Sequence, residues 1–546
     1  MASSPVDSPS LARSCDGTPR WCVVRDCLAS SRLLPVLSAR QCQRGNAAPC
    51  QFCLRGTASE EAGRQRSRIV AKRVIALKAQ SQKLSKAVPL QGLYDIVRLC
   101  ISSTFSHLLR TVYPSVIRPY AQRVDAIVTK AAFEAGGLTA IASTDPSDLE
   151  RQRAAARLFV RIRLGGMGLY SCVDNSLAAF LGSAALTCET VRDLSRDTSF
   201  DPAKPNAAEL PYVREHLDAI EQLKRRLPDC AEIQNWTLHS VLGASRPRLQ
   251  AFIGEQLAKV ARADVLAAFP DTDAGRQARA EFEECSEKKA GAWLQARALD
   301  PNCVLNNAEF WIAFGIRVGL AHRLYPEVSP HAVCKACKRA IGPSVPAHAF
   351  SECSKARRRG QNLRHTALKN AIATVERLSV AGTHIIMEPF VTATTGAVPT
   401  DAKFAKSRAD VFVRPPGSLG YIVDATIVDA TLGLEPAPNT SYEAGKATEQ
   451  AFDEKVTQYT SERFTLDKQR FRAAAFDFRG APSKSTLVYM KEIKHREIKA
   501  NPKTPRSVIA CRLYQRISVA IQRAIAYNVM EYRLWRVPVA VPVAAA

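Results

Sequence analysis

Apolar residues recur every three or four positions from residue 93 onward, and this spacing marks out most elements of the chain. Leu93, Ile96, Val97, Ile101, Phe105, Leu108 and Val112 fall on one helical stripe that Pro114 is expected to end. Ile117, Tyr120, Val124, Ile127 and Ala131 start the stripe again, and Gly136-Gly137 breaks it. Residues 163–186, RLGGMGLYSCVDNSLAAFLGSAAL, read as a glycine turn entering a small-residue helix, and residues 205–325 as further helices. After residue 380 the period shortens. HIIMEPFV and RADVFV pattern as short strands, and GYIVDATIV is apolar enough for a strand covered on both faces. Helical patterns over residues 361–382 and 441–464, a strand around AAAFDF, a turn at Gly480 and two closing helices complete the series. The expected fold class is mixed: mostly α-helical over the N-terminal two thirds, then a zinc knuckle and an α/β domain.

The boundaries follow the same shifts. Residues 1–70 carry Ser, Pro, Arg and six cysteines without apolar period and predict a disordered basic arm. Helical regions over 71–190 and 191–325 lead to a cysteine-rich segment at 326–365, and 366–546 forms the α/β domain. Charge narrows the partners. With 76 Lys+Arg against 51 Asp+Glu the net charge is +25, which favours a polyanion such as nucleic acid through counterion release. No signal peptide or stretch of about 18 uncharged apolar residues is present, so an intracellular protein without a membrane partner is expected.

In a reducing compartment the 16 cysteines are ligands, core residues or bystanders rather than disulfides. Cys334, Cys337, His348 and Cys353 have the spacing Cys-x2-Cys-x10-His-x4-Cys, which presents four soft donors to a structural Zn2+ and leaves no open position for chemistry. His331 is an alternative nitrogen donor. Arg357, Arg358, Arg359 and Arg364 follow the last ligand and are suited to phosphate contacts. Cys50 and Cys53 lack a partner pair nearby and read as coincidence. Gly165, Gly166 and Gly168 lack the Lys-Ser/Thr and preceding strand of a phosphate loop, and a tight packing turn is the better reading.

Catalytic metal needs carboxylates. Asp410 stands at the head of one predicted strand and Asp424 inside the apolar strand YIVDATIV, where an isolated charge is costly. Brought together on adjacent strands, the two repel, and a Mg2+ or Mn2+ ion relieves the repulsion while activating water against a phosphodiester. Lys455 is placed to stabilise charge on the phosphate or orient the water, and Tyr459, four residues on, shares its helix face. Glu388, at the end of HIIMEPFV, offers a third acid. Taken singly, each has a plainer reading as a cap, a surface acid or a solvated pair; their order favours a nuclease.

These residues carry a resemblance. AGAWL (290–294), NNAEFWIAFGIRVGL, the Cys-Cys-His-Cys knuckle, LRH (363–365), MEP (387–389), RAD (408–410), VDAT (423–426), the Lys455/Tyr459 pair and QRISVAIQRA (515–524) resemble the C-terminal half of non-LTR retrotransposon proteins bearing a restriction-enzyme-like endonuclease. The resemblance covers roughly residues 285–530. It implies a PD-(D/E)XK core that nicks target DNA to prime reverse transcription, with DNA and element RNA as partners and the nucleus as location. It implies that Asp410 and Asp424 bind the metal, that Lys455 is the catalytic lysine moved onto a helix, and that Glu388 is an accessory acid; His365, next to Arg364, is counted with the basic flank as nucleic-acid-binding. Ala409 stands where the family has proline, and Ile427 where the strand motif offers lysine. Residues 89–133 with LGGMGLYS are similar to the thumb end of such reverse transcriptases. No Asp-Asp dipeptide for a polymerase palm occurs, so a truncated element protein without polymerase activity is expected. The alternatives are a catalytically decayed nucleic-acid-binding remnant and a zinc-stabilised scaffold for protein partners.

Overall fold

A computed structural model of the protein describes residues 89–103, 105–138, 147–195, 211–242, 248–296, 301–324, 353–429 and 443–534, with Gln65, Arg68, Lys72, Cys334, Cys337 and Lys338. The expected arm therefore lies almost wholly outside the described residues, as do Cys50, Cys53, His331 and His348. Helices predominate among the described residues, and a small mixed sheet sits in the C-terminal part. None of these helices is long and apolar enough to cross a membrane.

The first stripe does not make one helix. Helix α1 (Leu90–Ile96) widens into a π turn over Val97–Ile101 and breaks before a short helix at Ser106–Thr111. The hydroxyls of Ser102 and Ser103 donate back to the carbonyls of Arg98 and Leu99, at 2.5 and 2.9 Å, and such back-bonding bends a helix. Pro114 is the first residue of α2 (Pro114–Ala135), where its missing N–H costs nothing. Ile117, Ala121, Val124, Val128 and Ala132 form its buried stripe, while Tyr120, Ile127 and Ala131 lie half-buried beside it.

The glycine turn is a packing device. Its amides at Gly165, Gly166, Met167, Gly168 and Leu169 all donate to carbonyls between Arg157 and Ile162, so none is left to cradle a phosphate. A Cβ at Gly166 would stand 2.1 Å from the Val160 carbonyl oxygen, which only glycine avoids. The buried Arg317, on α3 (Asn307–Val318), donates to the carbonyls of Gly166 and Ile162 at 3.1 and 3.0 Å. Tyr94 donates its hydroxyl to Met167 O at 3.1 Å and packs edge-on to Phe314, joining the turn to α1 and α3.

In the C-terminal part, α4 (Ser354–Ser379) precedes strands β1 (His384–Met387), β2 (Val411–Arg414) and β3 (Tyr421–Val428). Helix α5 (Lys446–Thr457) then crosses to β4 (Phe471–Asp477), and α6 (Lys484–Ala500) and α7 (Arg506–Leu534) close the chain. The sheet order is β1-β2-β3-β4; the first two pairings are antiparallel and β3-β4 is parallel, the βαβ arrangement that the crossover helix requires. Strand side chains alternate between two apolar clusters. Val411, Val413, Val423 and Ala425 pack with α4 and α7, while Phe412 and Ile422 pack on the side of α5. The larger cluster is continuous from Leu93 through Trp293 and Phe310 to Val529, so the helical segments and the α/β part share one core. The distant motifs meet there: Ser518 accepts from the Trp293 amide at 3.2 Å, and Arg523 lies 3.4 Å from Glu309.

Candidate metal centre

The register of β2 against β3, with Val411 opposite Val423, sets Asp410 opposite Asp424 across the two strands. Like charges so placed repel, and both residues are buried. Three neighbours hold them. The Ala425 amide donates to Asp410 Oδ2 at 2.7 Å, His365 Nε2 lies 3.0 Å from the same oxygen, and Lys455 donates to Asp424 Oδ2 at 3.0 Å. Asp424 faces the α5 side of the sheet, where Lys455 sits, whereas His365 comes from α4 and meets Asp410 where β2 begins.

The environment drives the two carboxyls apart. Burial, followed by the hydrogen bond and charge of Asp410, pushes Asp424 up to about 7 against the pull of Lys455. Burial acts most strongly on Asp410 and upward, but hydrogen bonds from His365, Asp424 and the Ala425 amide outweigh it and leave Asp410 below its ordinary value. The His365 imidazole is raised, chiefly by its bond to Asp410. Below about pH 7 the pair thus holds one proton; above it both carboxyls ionise, the form that takes a divalent cation.

Tyr459 follows Lys455 across the end of α5, where a π turn begins at Gln458. It is buried with its ring stacked on Phe471 at 4.5 Å, and burial, then the charge of and hydrogen bond to Asp424, push its phenol far up. Glu388 stands one step off. Its carboxylate is half-exposed and paired to Lys369, with Arg408 at 4.0 Å, rather than joined to the aspartates. Its backbone adopts φ +51, a strained value for a side chain other than glycine's, held by its amide's bond to Asp410 O at 2.9 Å.

Two expectations change. Arg364 is buried at 7% exposure and is not placed for phosphate contact, and His365, expected in the nucleic-acid-binding flank, turns inward to Asp410. Arg358 and Arg359 do lie exposed on the first turns of α4, and the side chain of Arg357 falls outside the described residues. Lys369 was not anticipated. It is a buried lysine four residues after His365, and that i,i+4 spacing on one helix face is the signal that marks it.

Donor atoms of His365, Asp410 and Asp424 lie within 4.8 Å of one another, a set of one imidazole and two carboxylates able to hold a divalent cation. A second group is Cys334, Cys337 and Cys353. The Sγ atoms of Cys334 and Cys353 are 3.8 Å apart, the edge of a sulfur tetrahedron with Zn–S of about 2.3 Å and far beyond the about 2.05 Å of a disulfide. The Cys337 amide donates to Cys334 Sγ at 3.4 Å and Lys338, at φ +63, donates its amide to Cys334 O at 2.7 Å, closing a tight turn around the sulfur. His348, the expected fourth ligand, lies outside the described residues.

No protein family and no curated protein matches the chain.

The raised Asp424 sets a pH dependence with a definite sign. Between about pH 4 and 7 the folded chain keeps a proton that the unfolded chain has released, so metal-free stability falls as pH rises through that window. Asp410, shifted the other way, acts only below the ordinary carboxylate range. Asp424→Asn, which cannot ionise, is expected to gain on the order of 2 kcal/mol over wild type at pH 8 relative to pH 5. Urea unfolding in chelator at both pH values measures this; parallel pH profiles would show that the pair does not share a proton.

Proposed function

We propose that the C-terminal part is a metal-dependent DNA endonuclease. The observation that carries this reading is the buried, cross-strand placement of Asp410 and Asp424 with Lys455 at 3.0 Å from one and His365 at 3.0 Å from the other. A structural role alone gives no reason to set two acids opposite each other in an apolar sheet, since apolar side chains of similar size would be at least as stable. A divalent cation, when bound, supplies water activation and charge stabilisation at a phosphodiester.

The chain's own residues divide the remaining tasks. Asp410 and Asp424 present the carboxylate oxygens, and His365 fixes Asp410 and offers the third donor. Lys455, partly exposed, is free to exchange its bond to Asp424 for one to a phosphate oxygen. The buried Tyr459 packs against β4 and sets the end of α5, keeping Lys455 in register. The net charge of +25 supports a nucleic-acid substrate. The resemblance read from the sequence extends the proposal to nicking of target DNA in the nucleus, with element RNA as second partner. Within the four-stranded sheet and its long helices the order from α4 to β4 is helix-strand-strand-strand-helix-strand, with a short helix (Val391–Thr395) and the two-residue strands Val398–Pro399 and Phe464–Thr465 interposed, and this order supports a PD-(D/E)XK core.

The cysteine group serves the same site in this reading. Cys353 immediately precedes α4, the helix that carries His365 and Lys369, so Zn2+ bound to Cys334, Cys337, Cys353 and His348 anchors that helix at its first turn.

Nicking of supercoiled plasmid with Mg2+ or Mn2+ is the direct assay. Asp424→Ala and Lys455→Ala are each expected to lower the rate about 100-fold or more. Wild-type protein that binds DNA without cutting it, or variants that cut as wild type does, would replace the nuclease reading with that of a decayed binding remnant. Elemental analysis is expected to find one zinc per chain, lost together with thermal stability in Cys334→Ser and Cys353→Ser. Full stability after zinc removal would separate the cysteines from the anchoring of α4.

A further inference from the structure

Beside the aspartates, the chain exposes an aromatic ring that the nuclease chemistry leaves unused. Phe390 is 42% exposed, although its neighbour Val391 is wholly buried. The guanidinium of Arg408 lies over the ring, 4.6 Å from its centroid. Both residues are held by a ladder that runs directly to the metal ligands. Phe390 and Arg408 form a β-bridge, the Val391 amide donates to Ser407 O, the Ala409 amide to Pro389 O, and the Glu388 amide to Asp410 O. Arg408 is only two residues from Asp410, about 7 Å of extended chain.

The surroundings are cationic. Lys403, Lys406 and Arg408 are exposed beside two exposed acids, Asp401 paired to Lys403 and Glu388 at 4.0 Å from Arg408, and a second ring, Phe404, is flanked by Lys403 at 5.0 Å and Arg463 at 5.7 Å. Double-stranded DNA offers only its backbone and groove edges to such a surface, whereas an unpaired base offers a π face that stacks on an aromatic ring or a guanidinium regardless of sequence.

We propose that Phe390 and Arg408 form a stacking platform for an unpaired DNA base next to the strand engaged by Asp410 and Asp424, so that the site takes single-stranded or locally opened DNA in preference to intact duplex. This deepens the endonuclease reading and rests on its assignment of DNA to this site.

The test is binding of a single-stranded DNA oligonucleotide containing 2-aminopurine to the full chain in chelator, where no cleavage occurs. Wild type is expected to quench the base's fluorescence and to bind the single strand more tightly than the matching duplex. Phe390→Ala should remove the quenching and weaken single-strand binding about 10-fold, without changing the salt dependence set by phosphate contacts. Phe390→Trp should restore both, and unchanged melting temperatures of the two variants would exclude unfolding as the cause. Wild-type quenching retained by Phe390→Ala, or no preference of wild type for the single strand, overturns the platform. If the plasmid is nicked but the base is not quenched, the platform falls and the nuclease stands. If quenching is seen without nicking, the platform stands and the nuclease falls.

Discussion

Two carboxylates facing each other across neighbouring strands, inside an apolar sheet, are the constraint around which the C-terminal part is organised. Asp410 and Asp424 are both buried, and the strand register leaves them no way to turn from one another. Ordinary packing would not tolerate this, because each ionised acid is costly away from water and the second raises the cost of the first. The protein answers with an amide, an imidazole and a lysine, each brought from a different element. A proton completes the compensation at low pH, and when both acids ionise the pair has the charge and spacing to hold a divalent cation in that place.

Holding that arrangement requires α4 to keep its register on the sheet. Glu376, wholly buried on this helix, accepts hydrogen bonds from the Tyr421 and Tyr489 hydroxyls at 2.7 and 2.6 Å and from Arg496 at 2.5 Å. A buried carboxylate with three donors from β3 and α6 fixes the rotation of α4, and with it the direction of His365 and Lys369, three and two turns earlier. The cysteine group bounds the other end of the helix. The aromatic cluster of Tyr94, Trp293, Phe310 and Phe314 extends the same core toward the glycine turn. Among the described residues, the face that bears the two aspartates and these helical segments therefore share one apolar core.

Much of this was readable from residue spacing, and the losses have physical causes. The strands of the α/β part announce themselves because β-branched and aromatic residues concentrate in short runs, and Asp424 stands out because it interrupts one. Lys455 and Tyr459 were legible as one helical face, and they approach the same aspartate even though a π turn starts between them. The break near residue 102 was not legible, since it depends on serine hydroxyls bonding back along the helix while the apolar stripe continues unbroken. Arg364 and His365 stand close behind the arginine run at 357–359, which suggests the same nucleic-acid-binding flank, but a helix turns about 100° per residue and, five and six positions beyond the run, these two fall on its inward side. The pairing of Glu388 with Lys369 depends on tertiary approach of α4 to the end of β1, which the i,i+4 spacing that marks Lys369 does not encode.

Binding of Mn2+ to the chelator-treated full chain at pH 8, followed by electron paramagnetic resonance, tests the central claim most directly. One ion per chain is expected at this site, lost in the Asp410→Asn/Asp424→Asn double variant, with a nitrogen coupling that disappears in His365→Ala. Mn2+ bound equally by wild type and the double variant would contradict the account.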